Sequence, residues 1–350
     1  VKKEGIEMAK VLVIGGTGLI STAIVNQLFE RGDDVTVFNR GKTEARIPTS
    51  VKRVYGDRKD YQSFENRIRE LGTFDCVIDM VCYVPEDAES LIRAFRGRIG
   101  QLIFCSTVDV YNKPAVFYPY REDHPREAVS DYGRNKAKCE DILMAAHERG
   151  DFKVTIIRPA HTYGEGGTLI HTFGWRTSYL DRIRKGKPVI QHGDGNSLWV
   201  VCHIDDVARA FVNAIGNERA YGKAYHTTGE EWLTWNRYLE IIAEAMDAPK
   251  PKIVHIPTDL LAKLVPDRVY WTVVNFQYSN VFDNTAAKVD LGFKYTVPFL
   301  EGARRTIKWL EERGLIEDCS NDPVYDWLIE LWEEMSARMA AELAKRIDQH

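Results

Sequence analysis

Lys10-Val11-Leu12-Val13-Ile14-Gly15-Gly16-Thr17-Gly18-Leu19-Ile20-Ser21 is the stretch on which the fold turns. A short apolar run that ends in glycines reads as a parallel strand buried on both faces. Thr22 to Arg31 continues as a helix, and Gly32 closes it as the residue after its last turn. Glycines between a strand and a helix N-terminus suit the pyrophosphate of a dinucleotide. It needs backbone N–H groups and a helix N-terminus, with no side chain in the way. Gly15 supplies the tight turn and Gly18 the close approach. Ser21 stands where a third glycine is usual and is small enough for close helix packing.

The alternation continues outward from this stretch. Residues 35–38, 53–55, 75–79, 101–105 and 154–157 read as strands, and 61–71 and 88–95 as helices. Strands alternating with helices specify an α/β, Rossmann-type, doubly wound parallel sheet. Residues 1–164 are expected to form mainly the dinucleotide-binding domain. Residues 165–313 are expected to form mainly a smaller substrate lobe, with segments returning to the large domain, and 314–350 a C-terminal helical extension. Within the lobe, 173–185, 205–216 and 235–246 read as helices and 252–256 as a strand. In the extension, Trp327, Leu328, Leu331, Trp332, Met335, Met339 and Leu343 recur at helical spacing. That stripe reads either as an oligomer contact or as a helix folded back on its own core.

The chain has 350 residues, 44% hydrophobic and 28% charged, enough to bury a real core. A net charge of −4 leaves no global basic footprint for nucleic acid. No apolar run approaches the length of a membrane span, and the charged start, Val1 to Lys10, lacks the apolar core of a signal peptide. The six cysteines have no CxxC spacing and read as buried free thiols of a cytoplasmic protein. His161, His171, His192 and His203 do not form HxxxH or HxH spacing, so no metal is expected.

Ser106-Thr107 falls at the end of the 101–105 strand, and Tyr132-Gly133-Arg134-Asn135-Lys136 follows. Four-residue spacing puts Tyr132 and Lys136 on one helical face. A lysine cation and the positive nicotinamide ring of an oxidised cofactor both favour the phenolate, which makes Tyr132 a base for redox chemistry on an alcohol or ketone. Thr107 is placed to bond the substrate oxygen, and Lys136 to bond the nicotinamide ribose. Asn39 and Arg40 stand at the end of the 35–38 strand, where a carboxylate would hold a ribose 2′-hydroxyl. Arginine pairs with a 2′-phosphate, so the cofactor, NADP or NAD, is read as NADP. Asp57 is placed either to bond the adenine amine or as a plain turn carboxylate.

These residues resemble the extended short-chain dehydrogenase/reductase superfamily, in its NAD(P)-dependent epimerase/dehydratase group. Supporting segments are Phe104 to Tyr111, Arg158-Pro159 with Tyr163-Gly164, Gly193-Asp194-Gly195, His203 to Ala208 and Leu291-Gly292-Phe293. Phe38 to Lys42 and Gly56 to Asp60 look closest to the chloroplast stem-loop RNA-binding branch and its bacterial relatives. The resemblance implies Tyr132, Lys136 and Thr107 as the catalytic set. It implies a cofactor site of Gly15, Gly18, Leu19, Ile20, Asn39, Arg40, Lys42, Asp57, Arg58, Ser106 and Pro159, together with Tyr132 and Lys136. It also implies a homodimer through helices flanking the tyrosine.

Some positions depart from the group. Val108-Asp109 replaces the Asp-Glu pair of the dehydratases, Trp199 stands where an arginine binds diphosphate, and His161 replaces an asparagine. Arg176, Arg182 and Arg268 are alternative diphosphate handles or plain surface charges. The expected function is that of an NAD(P)-dependent sugar or sugar-nucleotide epimerase/oxidoreductase with a small sugar-like substrate. Its alternatives are a net NADPH-dependent reductase of a non-nucleotide carbonyl, and an RNA-binding protein on the same fold. Nucleic acid and membrane are not expected partners.

Overall fold

A computed structural model describes residues 8–42 and 44–349; Val1 to Glu7, most of the charged start, lie outside the described residues. The first half runs β1 (Lys10–Ile14), α1 (Leu19–Arg31), β2 (Asp34–Asn39), β3 (Lys52–Tyr55), α2 (Tyr61–Glu70), β4 (Phe74–Asp79), α3 (Pro85–Phe95), β5 (Ile99–Cys105), α4 (Asp131–Glu148), β6 (Lys153–Pro159) and β7 (His161–Tyr163). There follow α5 (Ser178–Arg184), β8 (Val189–His192), β9 (Leu198–Trp199), β10 (Val201–His203), α6 (Ile204–Ala214), β11 (Lys223–Thr227), β12 (Leu233–Thr234), α7 (Trp235–Ala245) and β13 (Ile253–Ile256). The last helices are α8 (Thr258–Leu264), α9 (Thr285–Leu291), α10 (Phe299–Glu312) and α11 (Pro323–Ile347).

Seven strands form one sheet in the order β11-β6-β5-β4-β1-β2-β3, and every pairing is parallel. The chain leaves β1 toward β3, then returns to β4 on the other side. That reversal opens a crevice beyond the carboxyl ends of β1 and β4, where open α/β sheets bind ligands. Alternation along β1 builds both faces. Val11 and Val13 join a cluster with Ile24, Leu28 and Phe211, while Leu12 and Ile14 join one with Phe64, Leu91 and Leu143.

The described chain divides into two units. One comprises Val1–Gly167, Val200–Trp232 and Asn280–Gly302, so two later segments belong with the sheet; the other comprises Thr168–Trp199, Leu233–Ser279 and Ala303–His350. In the second unit β8 pairs with β13 and β9 with β12. The segment expected as a C-terminal helical extension from residue 314 belongs to this unit, where Tyr325, Leu328 and Ile329 pack with Phe173, Ile190 and Leu261.

One local expectation fails and one strand was not expected. The helix expected over 173–185 covers only Ser178–Arg184, because His171 and Gly174 exchange backbone hydrogen bonds in a tight turn with Gly174 at φ +75°. Strand β11 carries no apolar run. It is ordered by pairing along β6, from Lys223 beside Thr155 to Thr227 beside Pro159. The six cysteines are free and buried. No helix among the described residues is long and apolar enough to cross a membrane.

Candidate active site

The glycine-rich turn connects β1 to α1. Gly15 adopts φ +83°, and a Cβ there would meet Val81 at 2.5 Å, so the turn admits glycine alone. At Gly18 a Cβ would meet only Ser21 Oγ at 3.3 Å and the Gly15 carbonyl at 3.8 Å. Ser21 orders the loop: its Oγ accepts from Gly18 N at 2.8 Å and donates to the Gly15 carbonyl at 2.7 Å. The first turn of α1 holds no acidic residue. Its leading N–H groups have no intrahelical partner, which leaves a positive pole open to an anion. Leu19 and Ile20 are partly buried, with their side chains packed against the apolar cluster of α1.

A cavity of about 360 Å³ opens beside this turn, lined by Gly15, Gly18, Asn39, Arg40, Lys42, Asp57 and Arg58 among others. The cofactor residues expected after β2 and β3 thus come together with the glycines. Asn39 accepts from Gly41 N at 2.8 Å and shapes the turn that presents Arg40 and Lys42, both exposed. Asp57 accepts from Lys59 N at 2.9 Å. Arg58 is buried, with one nitrogen on Asp79 at 3.1 Å and on the Asp87 carbonyl at 2.8 Å. Its Nε and Nη1 are buried without a hydrogen-bond partner among the described residues. A tight glycine turn, a free helix N-terminus and an orphaned guanidinium edge fit a dinucleotide.

The catalytic candidates also converge. Thr107 caps the short helical turn Val108–Val110 by accepting from Asp109 N at 3.1 Å. Ser130 caps α4 through Gly133 N at 3.0 Å, which starts the helix at the residue before Tyr132. The Thr107 side chain lies close enough to the Tyr132 phenol to favour its ionised form. Gly133 makes that meeting sterically feasible, since a Cβ there would lie 2.1 Å from the Asp109 carbonyl oxygen.

Lys136 is the residue expected to favour the Tyr132 phenolate. Lys136 is buried, donates to the carbonyls of Cys82 at 2.8 Å and Cys105 at 2.7 Å, and sits 5.9 Å from the Tyr132 ring centroid. Burial pushes the Tyr132 phenol well above its ordinary pKa, Cys105 and Asp109 add to the rise, and Thr107 only moderates it. Tyr132 therefore carries its proton. Beside it, Asp109 and Lys113 lie 3.7 Å apart, and Lys113 also donates to Asn280 at 2.5 Å. Burial raises the Asp109 carboxyl and pulls Lys113 down to about 8.

Behind this set lies a buried network that the motifs did not reveal. Glu140 accepts from Ser106 Oγ at 2.5 Å, from Arg158 at 2.9 and 2.6 Å, and from Arg126 at 3.0 Å. Arg158 also donates to Tyr111 Oη at 2.6 Å, and Tyr111 meets His226 Nε2 at 2.6 Å. The Ser106 hydroxyl, expected at the cofactor, is committed to Glu140. Pro159 ends β6 as a buried residue next to Arg158. Glu140 follows Lys136 by four residues, so its place on the Tyr132–Lys136 face was legible as spacing.

In the second unit each arginine considered for diphosphate binding holds a carboxylate. Arg176 is 3.5 Å from Glu317, Arg182 is 2.6 Å from Asp326, and Arg268 is 2.7 Å from Asp322. Arg182 is buried, not a surface charge. Trp199 is a core residue stacked on Trp235 with ring centroids 4.9 Å apart. Trp175 is half exposed against Trp271, and His161 opens β7 opposite Val201. Asp181, Asp318 and Cys319 are grouped closely enough to suit a cation, but Lys185 lies between the two carboxylates at 2.7 and 3.0 Å.

Known proteins resemble this chain. A chloroplast stem-loop binding protein of Arabidopsis thaliana is 29% identical over 259 residues, which cover 70% of this chain and 65% of that relative. A 2'-dehydrokanamycin reductase of Streptomyces kanamyceticus is 27% identical over 78% of this chain and 76% of its own length. Among solved structures, an epimerase of Methanothermobacter thermautotrophicus superposes with a TM-score of 0.72 at 18% identity, covering 88% of this chain and 94% of that one, which shows the shared fold. Residues 11–226, from the first strand of the cradle to the histidine that closes the Glu140 network, match the family model itself. The chain belongs to the NAD dependent epimerase/dehydratase family.

Proposed function

We propose that the protein is an NADP(H)-dependent reductase of a ketone or aldehyde on a sugar-like substrate, with Tyr132 as proton donor. One observation carries the reading: the turn after β2 presents Arg40 and Lys42 into the dinucleotide cavity, and Asn39 replaces the carboxylate that would repel a 2′-phosphate. A bound nicotinamide cofactor supplies the hydride. Gly15, Gly18 and the N–H groups of Leu19 and Ile20 would hold its pyrophosphate, with Arg40 and Lys42 at the 2′-phosphate and Asp57 and Arg58 toward the adenosine.

Tyr132 keeps its proton at the phenol oxygen and passes it to the substrate oxygen as negative charge develops there. Thr107, beside Tyr132, orients that oxygen and stabilises the phenolate left behind. Lys136 has one ammonium proton left after its two carbonyl contacts and supplies positive charge beneath the site. Because Arg176, Arg182 and Arg268 are already paired, the substrate reading moves from a nucleotide diphosphate to a non-nucleotide sugar. The reductase relative, named for a dehydro-aminoglycoside, agrees with this choice.

The test is mass spectrometry of small molecules released on denaturation, followed by titration with NADPH and NADH. The expected result is an exchangeable site that prefers NADPH, with Arg40→Ala weakening NADPH by about 10- to 100-fold, the range for one hydrogen bond to a charged group, and sparing NADH. Stoichiometric retained NAD⁺ would establish a redox-neutral epimerase instead. Binding of neither nucleotide would remove the reading altogether.

A further inference from the structure

Another cavity, of about 720 Å³, opens beside Tyr118, Glu230, Trp232, Val281, Asp283 and Lys288, and none of them takes part in the proposed proton transfer. Its size suits a small molecule. It lies at the same edge of the sheet as the catalytic candidates. Thr107 follows the end of β5, and Glu230 and Trp232 follow the end of β11. Strands β5 and β11 run parallel on either side of β6, which sets their ends about 10 Å apart. One apolar cluster joins the two places: Val108 and Val110, in the turn that Thr107 caps, belong with Tyr111, Tyr120 and Phe282. Lys113 joins them as well. It lies 3.7 Å from Asp109 and donates at 2.5 Å to Asn280, the residue before Val281.

The wall of this cavity is tied down on two sides. The main chain of Tyr120 donates to the Val281 carbonyl at 2.8 Å and accepts from Asp283 N at 2.9 Å. Asn284 accepts from Thr228 N at 3.2 Å and from its Oγ1 at 3.1 Å, and donates to its carbonyl at 3.0 Å. On this frame two aromatic rings stand half open, Trp232 at 48% and Tyr118 at 43% exposure. Charged groups rim them. Glu230 pairs with Lys288. Asp283 Oδ1 accepts from Thr285 N at 2.8 Å, and its bonds with Thr285 hold the carboxyl below the usual carboxylate range.

A wholly apolar ligand would strip water from the charged rim and give nothing back. A phosphate or a carboxylate would meet Glu230 and Asp283, with one lysine that is already paired. A sugar ring matches both parts: its C–H face is apolar, and its edge is a row of hydroxyls that carboxylates and an ammonium bond. We infer that this cavity receives a second ring of a neutral di- or oligosaccharide substrate. Trp232 and Tyr118 cover the C–H face of that ring, and Glu230, Asp283 and Lys288 bond its hydroxyls. The ring that is reduced sits at Thr107 and Tyr132, and the link between the rings crosses the end of β6. The inference rests on the sugar substrate of the proposed function, but not on the choice of cofactor or the direction of hydride transfer.

Saturation-transfer NMR and calorimetry on the full-length protein, with NADP⁺ added, compare glucose and galactose with maltose, cellobiose and lactose. At least one disaccharide is expected to bind about tenfold tighter than its monosaccharides, the scale of a pair of aromatic contacts. Trp232→Ala should bring that disaccharide down to the affinity of a monosaccharide, and Trp232→Phe, which keeps a ring, should retain most of the gain. Tyr118→Ala, on a separate loop, should also reduce it. Thr107→Val should weaken monosaccharide and disaccharide alike. Far-UV circular dichroism and the melting temperature confirm that each variant is folded. Equal affinity for one ring and for two would overturn the second-ring subsite and leave the sugar reading standing. A disaccharide gain untouched by both Trp232→Ala and Tyr118→Ala would place the second ring elsewhere and overturn the subsite as well. If glucose and galactose also failed to bind, the sugar substrate itself would fall, and the subsite with it.

Discussion

A methyl group on Gly133 would meet the Asp109 carbonyl oxygen at 2.1 Å and Ala128 Cβ at 2.8 Å. Neither neighbour is the flexible end of a side chain, so α4 itself must move. Because Tyr132 is the preceding residue and Thr107 caps the turn holding Asp109, that movement separates the two hydroxyls. Gly133→Ala is expected to cost about 1–3 kcal/mol of stability. It should also lower kcat by about a hundredfold, the scale of a 1 Å misplacement. Tyr132→Phe removes the proton together with the hydroxyl's contact to Thr107, so kcat should fall by about 10²- to 10⁴-fold with only a small change in melting temperature. If Gly133→Ala reduced stability but left kcat intact, the glycine would only pack the helix.

At the scale of elements, Glu140 joins α4 to β5 through Ser106 and to β6 through Arg158. Burial alone would lower the basicity of Arg158, but Glu140 beside it outweighs burial and holds the guanidinium charged. Glu140→Gln keeps the shape and removes the counter-charge, leaving a buried cation underpaired. Losing one partner of such a pair costs about 3–5 kcal/mol. Thermal or denaturant unfolding should register that loss, whereas Arg126→Gln, on the more exposed side of the network, should cost far less. Equal costs would show that Glu140 is solvated in solution. In the cradle, Ser21→Ala removes both hydrogen bonds that tie Gly15 to Gly18. A loss of about 1 kcal/mol is expected, the usual value of a helix-start cap, together with weaker dinucleotide binding by fluorescence titration.

Across the whole molecule, buried histidines set the acid limit of stability. Burial pushes His171 and His226 down to about 3 and His192 to about 4. The contacts agree with neutral rings. His226 Nδ1 donates to the Asp283 carbonyl at 2.9 Å, and its Nε2 accepts from Tyr111. His192 Nε2 lies 3.1 Å from the Phe276 carbonyl. A folded pKa below the unfolded value of 6.5 means the unfolded chain binds the proton first. The stability these groups lend is whole above pH 6.5 and is lost as pH falls toward the folded values. By pH 5 each contributes a loss of about 2 kcal/mol. The Tm should be level from pH 7 to 8 and fall steeply between pH 6 and 4.5. A level profile down to pH 4.5 would show that the rings are open to water.

What the chain alone determines is what periodicity and local sterics encode. The order of strands and helices through β6, the turn at Gly15, and the spacing of Tyr132 and Lys136 depend on neighbours a few residues away. They are legible for that reason. The residues proposed for the cofactor were legible as types at strand ends, because a parallel sheet brings all those ends to one edge.

Other features rest on partners far along the chain. Glu140 and Arg158 are 18 residues apart, and Tyr111 and His226 are 115 apart. Strand β11 owes its order to β6, 68 residues earlier at the register Lys223–Thr155. The proton affinity of Tyr132 is another case, since burial by residues far along the chain raises it. The apolar stripe of α11 marks a face in the sequence. Only the folded chain shows that its first turns are covered while the rest stands open, because burial is a property of what surrounds a residue and not of the residue itself.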